Sequence, residues 1–308
     1  MDNLVSSLPI VSKDGGGWAT RRVINFLRVE QGVVVHERSK ALFGKIIYAV
    51  LGMVLLPFIH PIFTRFLPVS LFFCSGRTYL NFSQTFGALL FSKHSWAICH
   101  DLQCHRPFKL MAWVRWSEGV LLRRAERIVT LSNRDAKIVR RLYQVPFSKI
   151  ISAQSAMLGD IKDFSVDLSR LDNRMGRVVF LGSILRRENF EALTWFVEQV
   201  LSHVPDLVVE VIGSAPELLR LNHPRIKYLG FVEDVHSYLR NSNLMIAPML
   251  SPAGIKIKVI EALELGVPVL GTKNAYSGLS RPSIGYCSND PSVWISTLST
   301  PCDFCYRK

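Results

Sequence analysis

The chain has 308 residues, of which 49% are hydrophobic, and it carries a formal net charge of +13. This length and balance exclude an intrinsically disordered chain and are more typical of two globular domains than of one. The excess charge is one-sided: there are 21 Lys/Arg against 9 Asp/Glu up to Asp160, and 16 against 15 after it. A basic surface on the N-terminal half would attract phosphates or anionic lipid, although it could also serve only solubility.

Nucleic acid is the weaker partner prediction, because the chain has no zinc-finger spacing, ribonucleoprotein motif or basic low-complexity arm. The first residues, MDNLVSSLPIV, lack the basic region and cleavage site of a secretory signal, so we expect a cytoplasmic location with reduced thiols. Cys302 and Cys305 have C-x-x-C spacing without a second such pair. They are therefore weak support for metal binding or redox chemistry.

The N-terminal half predicts an irregular doubly wound α/β pattern. Residues 7–28 predict a short strand, then a glycine turn at Gly15–Gly17, then a helix. Residues 126–143 predict a strand and a helix capped near Ser132 or Asn133. Two further strands are predicted at 69–76 and 95–101.

An uncharged apolar run, IIYAVLGMVLLPFIHPIFT (46–64), interrupts this pattern. Pro57 and Pro61 divide the run, whereas a membrane-spanning helix needs about 20 largely apolar residues. The run therefore favours a buried segment first, contact with a membrane surface second and a true span last.

The C-terminal half alternates apolar strands with amphipathic helices, which is typical of a parallel sheet covered on both faces. We expect ligands outside the carboxyl ends of such strands. The polar stretch 160–176 predicts the boundary between two Rossmann-like domains, residues 1–165 and 166–308. The predicted strands are 177–183, 206–216, 226–234, 244–250 and 268–272, and the main predicted helices are 188–204, one starting near Ile255, and 291–299.

The stretch GIKIKVIEALELGVPVL (254–270) places Lys256, Lys258 and Glu261 at the front of an otherwise apolar helix. The free N–H groups of a helix N-terminus attract anions, and a lysine there adds a full positive charge. A diphosphate would fit this position, and Glu261 could accept hydrogen bonds from sugar hydroxyls. The alternative is an ordinary amphipathic helix with solvated lysines and a surface glutamate.

Three segments together resemble the donor domain of glycosyltransferase family 4, which has the GT-B fold. They are GSILRRENFEALTWFVEQVLSHVPDLVVEVIGSAP, YLGFVEDVHSYLRNSNLMIAPM and SPAGIKIKVIEALELGVPVLGT. The resemblance covers residues 177–300 well and the first half more loosely, through GGGWATRR, ICHD and RIVTLSNRDAKIV. It implies an α/β fold of two Rossmann-like domains facing a cleft, with acceptor binding in residues 1–165 and nucleotide-sugar binding in residues 166–308.

The resemblance also implies roles for individual residues. Glu261 would bind the donor ribose, Lys258 the diphosphate, and His100 would lie near the transferred sugar, so these three are the expected catalytic residues. Asp101 is a candidate acceptor contact. The remaining expected donor-binding residues are Gly16, Gly17, Gly182, Ser183, Phe231, Val232, Gly254 and Ile255.

One departure concerns the second glutamate that many family members carry ahead of the ribose-binding one. The position eight before Glu261 is Ala253, which leaves recognition of the donor sugar open. A metal at His100, Asp101 and His105 is conceivable but fits no closed zinc spacing. A structural, hydrogen-bonded His100 is a further alternative. The family implies no metal and no cofactor other than the nucleotide sugar as co-substrate.

The sequence thus predicts a retaining hexosyltransferase that acts on a saccharide or lipid-linked acceptor in polysaccharide or glycolipid synthesis. Its location would be cytoplasmic, with peripheral contact at the inner face of a membrane through the basic half and residues 46–64. Two alternatives stay open: a catalytically silent GT-B protein that binds a sugar nucleotide or partners, and another GT-B enzyme such as an epimerase or an inverting transferase.

Overall fold

The structure is a computed structural model, and it describes most of the chain as a series of separate segments. The chain folds into two compact units, residues 1–159 with 253–255 and residues 160–252 with 256–308. The boundary predicted at 165/166 falls in residues 159–176, outside the described residues. The described residues are 2–6, 15–28, 34–37, 50, 54, 58–66, 76–92, 94–105, 110–158, 177–252, 254–279 and 286–299.

The N-terminal unit contains a parallel sheet whose described strands run in the order β2-β1-β3-β4-β5-β6. The strands are β1 (Asn3–Ser6), β2 (Val34–Glu37), β3 (Thr78–Asn81), β4 (Ser95–Cys99), β5 (Arg127–Thr130) and β6 (Ile150–Ser152). The helices are α1 (Gly15–Phe26), α2 (Met111–Arg124), α3 (Asn133–Tyr143) and α4 (Gln154–Leu158). Short 3-10 helices lie at Pro61–Thr64, Ser83–Leu90, Gln103–His105 and Phe147–Lys149.

The C-terminal unit contains a second parallel sheet, with the described strands in the order β12-β11-β10-β7-β8-β9. The strands are β7 (Val178–Leu181), β8 (Val209–Ile212), β9 (Ile226–Gly230), β10 (Leu244–Ala247), β11 (Val269–Gly271) and β12 (Tyr286–Cys287). The helices are α5 (Arg187–Gln199), α6 (Val235–Arg240), α7 (Ile257–Glu264) and α8 (Pro291–Ser299), with 3-10 turns at Leu201–His203 and Glu217–Leu219.

Burial explains the alternation of strands and helices in the C-terminal unit. The strands are continuous apolar runs because both faces of the sheet are covered. Helix α5 directs Leu193 and Phe196, which are fully buried, at the sheet. Trp294 of α8 is also fully buried and packs edge-on against Trp195 and Phe196. These contacts hold α5, the helix that follows the turn after β7, against the sheet, and the candidate site lies at that turn.

The prediction of two α/β units with parallel sheets is confirmed, as are the strands at 178–181 and 95–99 and the Ser132 cap of α3. Residues 7–11 and 69–75, where two strands were predicted, lie outside the described residues. The helix predicted to start near Ile255 begins at Ile257, because the chain stays extended at Lys256, the residue before the first turn.

The apolar run 46–64 is described only at 50, 54 and 58–64. Ile62 and Phe63 are buried in the core of the N-terminal unit, which agrees with the preferred prediction for this part of the run. Phe58, by contrast, is 77% exposed. Within the described residues, no helix has the length and apolar character that crossing a membrane requires.

Candidate active site

Lys258 lies in the first turn of α7 and directs its ammonium at the carboxyl end of β7. Its Nζ donates to the carbonyl oxygen of Leu181 at 2.7 Å and to Oδ1 of Asn189 at 2.8 Å, and it lies 4.7 Å from the centre of the Phe180 ring. Burial, with smaller contributions from nearby cations, lowers the pKa of Lys258 to about 7. An ammonium has three N–H groups, so a third donor is available to an anion.

Asn189 of α5 holds this lysine in place. It is buried, and its Nδ2 donates to the carbonyl oxygen of Ser183 at 2.9 Å, which fixes Oδ1 as the acceptor for Lys258. Asn189 was not among the site residues predicted from the sequence. A signal was available, because Asn189 precedes Leu193 by four residues and Phe196 by seven and so lies on the apolar face of the helix.

Gly182 ends β7 at the point where Asn189 and Lys258 meet. Its φ of 149° is rarely adopted by residues with a side chain, and a Cβ there would lie 2.6 Å from Nδ2 of Asn189 and 3.0 Å from Nζ of Lys258. Gly213, at the end of β8, has a φ of 131°, and a Cβ there would lie 2.7 Å from the carbonyl carbon of Gly182. The two glycines allow the strand ends and the lysine to pack closely.

Ser183 follows Gly182 and joins the ends of β7 and β8. Its Oγ donates to the carbonyl oxygen of Ser214 at 3.2 Å and accepts from the N–H of Leu185 at 3.3 Å. The side chain is therefore engaged in shaping the turn. Arg186, which the sequence analysis also missed, is exposed on the same turn and lies close enough to Lys258 to contribute to lowering its pKa.

Glu261 lies three residues after Lys258 on α7 and is largely buried, with 15% of its side chain exposed. Its Oε1 lies 3.8 Å from Nε2 of His236 on α6, a contact that the sequence analysis did not anticipate. The carboxylate and the Lys258 ammonium are thus both on the first half of α7. Lys256 is only partly exposed and is the N-cap residue of the same helix.

The other expected donor-binding residues lie in two loops. Phe231 follows β9 and is 82% exposed, while the neighbouring Val232 is half-buried against the core. Gly254 has a φ of 61°, in the left-handed region, and Ile255 after it is buried. Gly254 and Ile255 belong to the compact N-terminal unit rather than to the C-terminal one.

His100 follows β4 in the N-terminal unit and belongs to a buried polar network. Its Nε2 lies 2.8 Å from Oδ1 of Asn81, whose Nδ2 donates to the hydroxyls of Ser6 and Thr20 at 3.0 Å each. Since Oδ1 accepts, Nε2 of His100 carries the proton in this arrangement. The network joins the carboxyl ends of β1, β3 and β4 to α1.

Phe82 closes the other side of His100. The two rings are stacked, with centroids 3.9 Å apart and an interplanar angle of 21°. Phe82 has φ 70° and ψ 148°, a conformation close to one that is essentially restricted to glycine. The packing around His100 thus maintains a strained backbone directly after β3.

Gly16 and Gly17 are not in a turn before the helix, as predicted, but within the first turn of α1. The packing of the unit overrides the low helix propensity of glycine: Gly17 is buried, and the hydroxyl of Thr20 donates to the carbonyl oxygen of Gly16 at 2.8 Å. The same Thr20 contacts Asn81, so Gly16 is linked to the His100 network. Asp101, directly after His100, is partly exposed.

Metal binding gains no support from the described residues, where no group of three or more His, Cys, Asp and Glu side chains could hold an ion. Cys99 and Cys104 are present as free, buried thiols. Burial raises the pKa of both thiols, so they are poor nucleophiles and poor metal ligands. The pair Cys302 and Cys305 lies outside the described residues.

Residues 176–285 match the family described as glycosyl transferases group 1. No curated protein sequence matches the chain closely enough to count as a relative.

Solved structures resemble the fold across most of the chain. Anabaena Alr3699/HepE in complex with UDP-glucose is 15% identical, with 98% of this chain and 89% of that chain covered and a TM-score of 0.62. A trehalose-6-phosphate synthase is 8% identical, with 98% and 91% covered and a TM-score of 0.52. The pneumococcal O-GlcNAc transferase GtfA in complex with UDP and GlcNAc is 13% identical, with 73% and 49% covered and a TM-score of 0.53.

The structural neighbours are GT-B glycosyltransferases, and their likeness to this chain extends over both parallel sheets. The likeness therefore shows the GT-B fold for this chain, whose residues 176–285 match the glycosyl transferases group 1.

Proposed function

We propose that this protein transfers a hexose from a UDP-sugar to a saccharide or lipid-linked acceptor, with retention of anomeric configuration, in polysaccharide or glycolipid synthesis. The observation that carries the proposal is the position of Lys258, a buried ammonium at the carboxyl end of β7 and the start of α7. UDP as the nucleotide is suggested by HepE and GtfA, which were both solved with UDP. The narrower assignment to glycosyltransferase family 4 stays part of this proposal.

The Lys258 ammonium would act on the leaving group. As the glycosidic bond breaks, negative charge grows on the β-phosphate, and a fixed, desolvated cation stabilises that charge more strongly than water does. The first N–H groups of α7 add to this effect. Because Lys258 is already held by Leu181 and Asn189, little reorganisation is needed when the donor binds.

The rest of the donor would be held by α7 and the nearby loops. Glu261 would accept hydrogen bonds from the ribose hydroxyls, replacing or sharing its contact with His236. The exposed ring of Phe231 and the backbone of Val232 would contact the nucleobase. The tight turn at Gly182 and Ser183 and the loop at Gly254 and Ile255 would bring backbone groups near the phosphates.

His100 is proposed to contact the transferred sugar, with Asp101 toward the acceptor and the first turn of α1, at Gly16 and Gly17, near the donor. The network of Asn81 and Thr20 holds the imidazole in one orientation. Retention without a protein nucleophile is proposed from the family resemblance. The trehalose-6-phosphate synthase structure comes from a study of glycosyl transfer with retention by that enzyme.

A membrane-surface location of the acceptor is supported by an exposed apolar patch, which we define as Phe58, Leu110 and Trp116. These side chains are 77%, 58% and 52% exposed. The indole N–H of Trp113 donates to the carbonyl oxygen of Phe58 at 2.7 Å and so holds Phe58 against α2. The charged residues exposed on α2 are all arginines, namely Arg115, Arg123 and Arg124, which suits an anionic lipid surface at the cytoplasmic face.

The alternative of a catalytically silent binder is tested together with the main proposal. Thermal shift against a panel of nucleotide sugars would identify the donor, beginning with UDP-glucose and UDP-GlcNAc. NMR of the anomeric signal of the product would then give its stereochemistry. We expect Lys258→Ala and Glu261→Ala to lose both donor stabilisation and transfer. Equal turnover by the wild type and both variants would refute the site, and donor binding without transfer or hydrolysis would support the silent binder.

A further inference from the structure

Glu118 is a fully buried carboxylate to which the proposed reaction gives no role. It lies on the inner face of α2, among Val114, Leu121 and Leu122, all of which are 0% exposed. In the part of the chain that the structure describes, no lysine or arginine forms an ion pair with it. A buried carboxylate without a cation is costly unless other groups donate to it.

The donors to Glu118 come from the segment after β4 and from α3. Oε1 accepts the backbone N–H of Gln103 at 2.8 Å, and Oε2 accepts the backbone N–H of Cys104 at 3.2 Å. Oε2 also accepts the hydroxyl of Tyr143, the last residue of α3. Burial raises the pKa of Glu118 to about 7, while the hydrogen bonds from Tyr143, Gln103 and Cys104 oppose that rise.

The segment that Glu118 holds is directly connected to His100. Gln103 and Cys104 belong to the 3-10 turn at Gln103–His105, which begins three residues after His100. The side chain of Gln103 donates to the hydroxyl of Ser83 at 2.8 Å, and both groups are buried. Ser83 follows Phe82, the ring that stacks on His100.

We infer that Glu118 is a positioning residue, whose carboxylate fixes the two loops after β3 and β4 and thereby places Phe82 and His100 for contact with the transferred sugar. The inference rests on the proposed function. Two backbone N–H groups require an acceptor at this point, and a carboxylate provides two oxygens at the spacing that consecutive N–H groups need. A hydrophobic residue at 118 would fill the volume and leave both N–H groups unsatisfied.

The test compares Glu118→Gln with Glu126→Gln, a change to a partly exposed glutamate in the same unit. Glutamine keeps one carbonyl oxygen, so Glu118→Gln removes the acceptor for Cys104 and Tyr143 with little change in volume. We expect acceptor kcat/KM to fall about tenfold or more, because small displacements of a catalytic group are costly, while the Kd of UDP, which lacks the transferred sugar, stays unchanged. Glu126→Gln should match the wild type in both measurements.

Hydrogen exchange distinguishes a change confined to the two loops from a general loss of stability of the N-terminal unit. Amide exchange in 100–105 and 82–85 should rise about tenfold in Glu118→Gln, with β5 and the C-terminal unit unchanged. Tyr143→Phe, which removes one donor, should produce a smaller change in the same peptides and serves if Glu118→Gln does not fold. Unchanged exchange in these loops, or a rise spread evenly over the N-terminal unit, would overturn the inference.

The exchange experiment also separates this inference from the proposed function. If the wild type transfers sugar and Glu118→Gln transfers equally well, the positioning role is wrong and the proposed function stands. If the wild type transfers no sugar with any donor but the local exchange change is present, the proposed function fails and the hold of Glu118 on the loops stands. Local exchange without a loss of acceptor kcat/KM in an active enzyme overturns the link to His100.

Discussion

Lys258 and Asn189 are 69 positions apart in the sequence, yet the ammonium of Lys258 donates to Oδ1 of Asn189 at 2.8 Å. Asn189 is itself fixed by its bond to the carbonyl oxygen of Ser183. The side-chain amide of Asn189 therefore links the turn after β7 to the first turn of α7. The ammonium of Lys258 is held in place but loses much of its hydration. Donor binding and the stability of the folded protein should therefore both depend on whether Lys258 is protonated.

The first prediction concerns the pH dependence of donor binding. Lys258 has a pKa of about 7, and a neighbouring diphosphate would raise it, because opposite charge favours the ammonium form. Binding therefore takes up a proton above pH 7. We expect the affinity for an intact UDP-sugar to be constant below about pH 7 and to fall up to tenfold per pH unit above it. Calorimetry in buffers of different ionisation enthalpy measures both the affinity and the proton uptake.

The control for this prediction is Lys258→Arg, since arginine stays protonated throughout this range. The variant should bind with little pH dependence between about pH 7 and 8.5. Lys273→Arg changes an exposed lysine of the same unit and should keep the wild-type slope. A slope that survives in Lys258→Arg would assign the proton to another group.

The second prediction is that Lys258 lowers the stability of the folded protein. Its pKa is depressed from 10.5 to about 7, so between these values the unfolded chain binds more protons and stability rises with pH. Lys258→Met removes the buried charge and should unfold at higher urea concentration at pH 7. We expect the advantage of the variant in the free energy of unfolding to shrink by about 2 kcal/mol between pH 7 and pH 9. An advantage that does not change with pH would show that packing, not charge, is responsible.

Asn189→Asp provides the third prediction. A carboxylate in place of the amide would lie beside the ammonium and raise the pKa of Lys258, so the pH at which donor affinity begins to fall should move upward by about one unit or more. At pH 7 the same carboxylate should weaken donor binding, because it repels the diphosphate. Asn189→Ala should weaken binding without the upward shift. Donor titrations of both variants across the pH range test these directions, and identical profiles for the two would contradict the hydrogen-bonded pair.

Gly182→Ala is expected to destabilise the protein and abolish donor binding. A Cβ would lie 2.6 Å from Nδ2 of Asn189, and the φ of 149° is itself unfavourable for alanine. We expect a loss of about 3 kcal/mol in the free energy of unfolding. Gly266→Ala is the matched control, because Gly266 has a φ of 70° but no atom within 4 Å of the added Cβ. That variant should lose only about 1 kcal/mol and bind donor normally.

The sequence predicted those parts of the site that lie on one local element. Lys258 and Glu261 are three residues apart on α7, so one helical pattern places both at the same helix face. The strands of the C-terminal unit could also be predicted, because a continuous apolar run indicates a strand that is buried on both faces.

What the sequence did not predict depends on tertiary contacts. Asn189 and Glu118 are single polar residues on apolar helix faces, and their partners, Lys258 and the N–H groups of Gln103 and Cys104, are distant or belong to the backbone. Gly16 and Gly17 have low helix propensity, yet packing and the Thr20 hydrogen bond place them in a helix. In each case the packing of the folded unit, rather than a pattern along the chain, determines the arrangement.

The last prediction concerns the patch formed by Phe58, Leu110 and Trp116. Phe58→Ser combined with Trp116→Ser removes two exposed aromatic side chains of the N-terminal unit, so the stability should change little. If the patch docks on lipid, flotation with vesicles containing anionic lipid should fall about tenfold or more at low salt, because each aromatic side chain loses its buried area. Transfer to a water-soluble acceptor should be unchanged.

The matched control is Phe147→Ser, which removes another phenylalanine of that unit, one that is 69% exposed and lies outside the patch. It should float like the wild type, because an exposed aromatic side chain outside the patch should not contact the lipid. Raising the salt concentration should weaken flotation of the wild type, since the arginines of α2 act through screened charge. Equal flotation by the wild type and the double variant would place any lipid contact elsewhere on the protein, and a wild type that stays in solution at low salt would refute the membrane proposal.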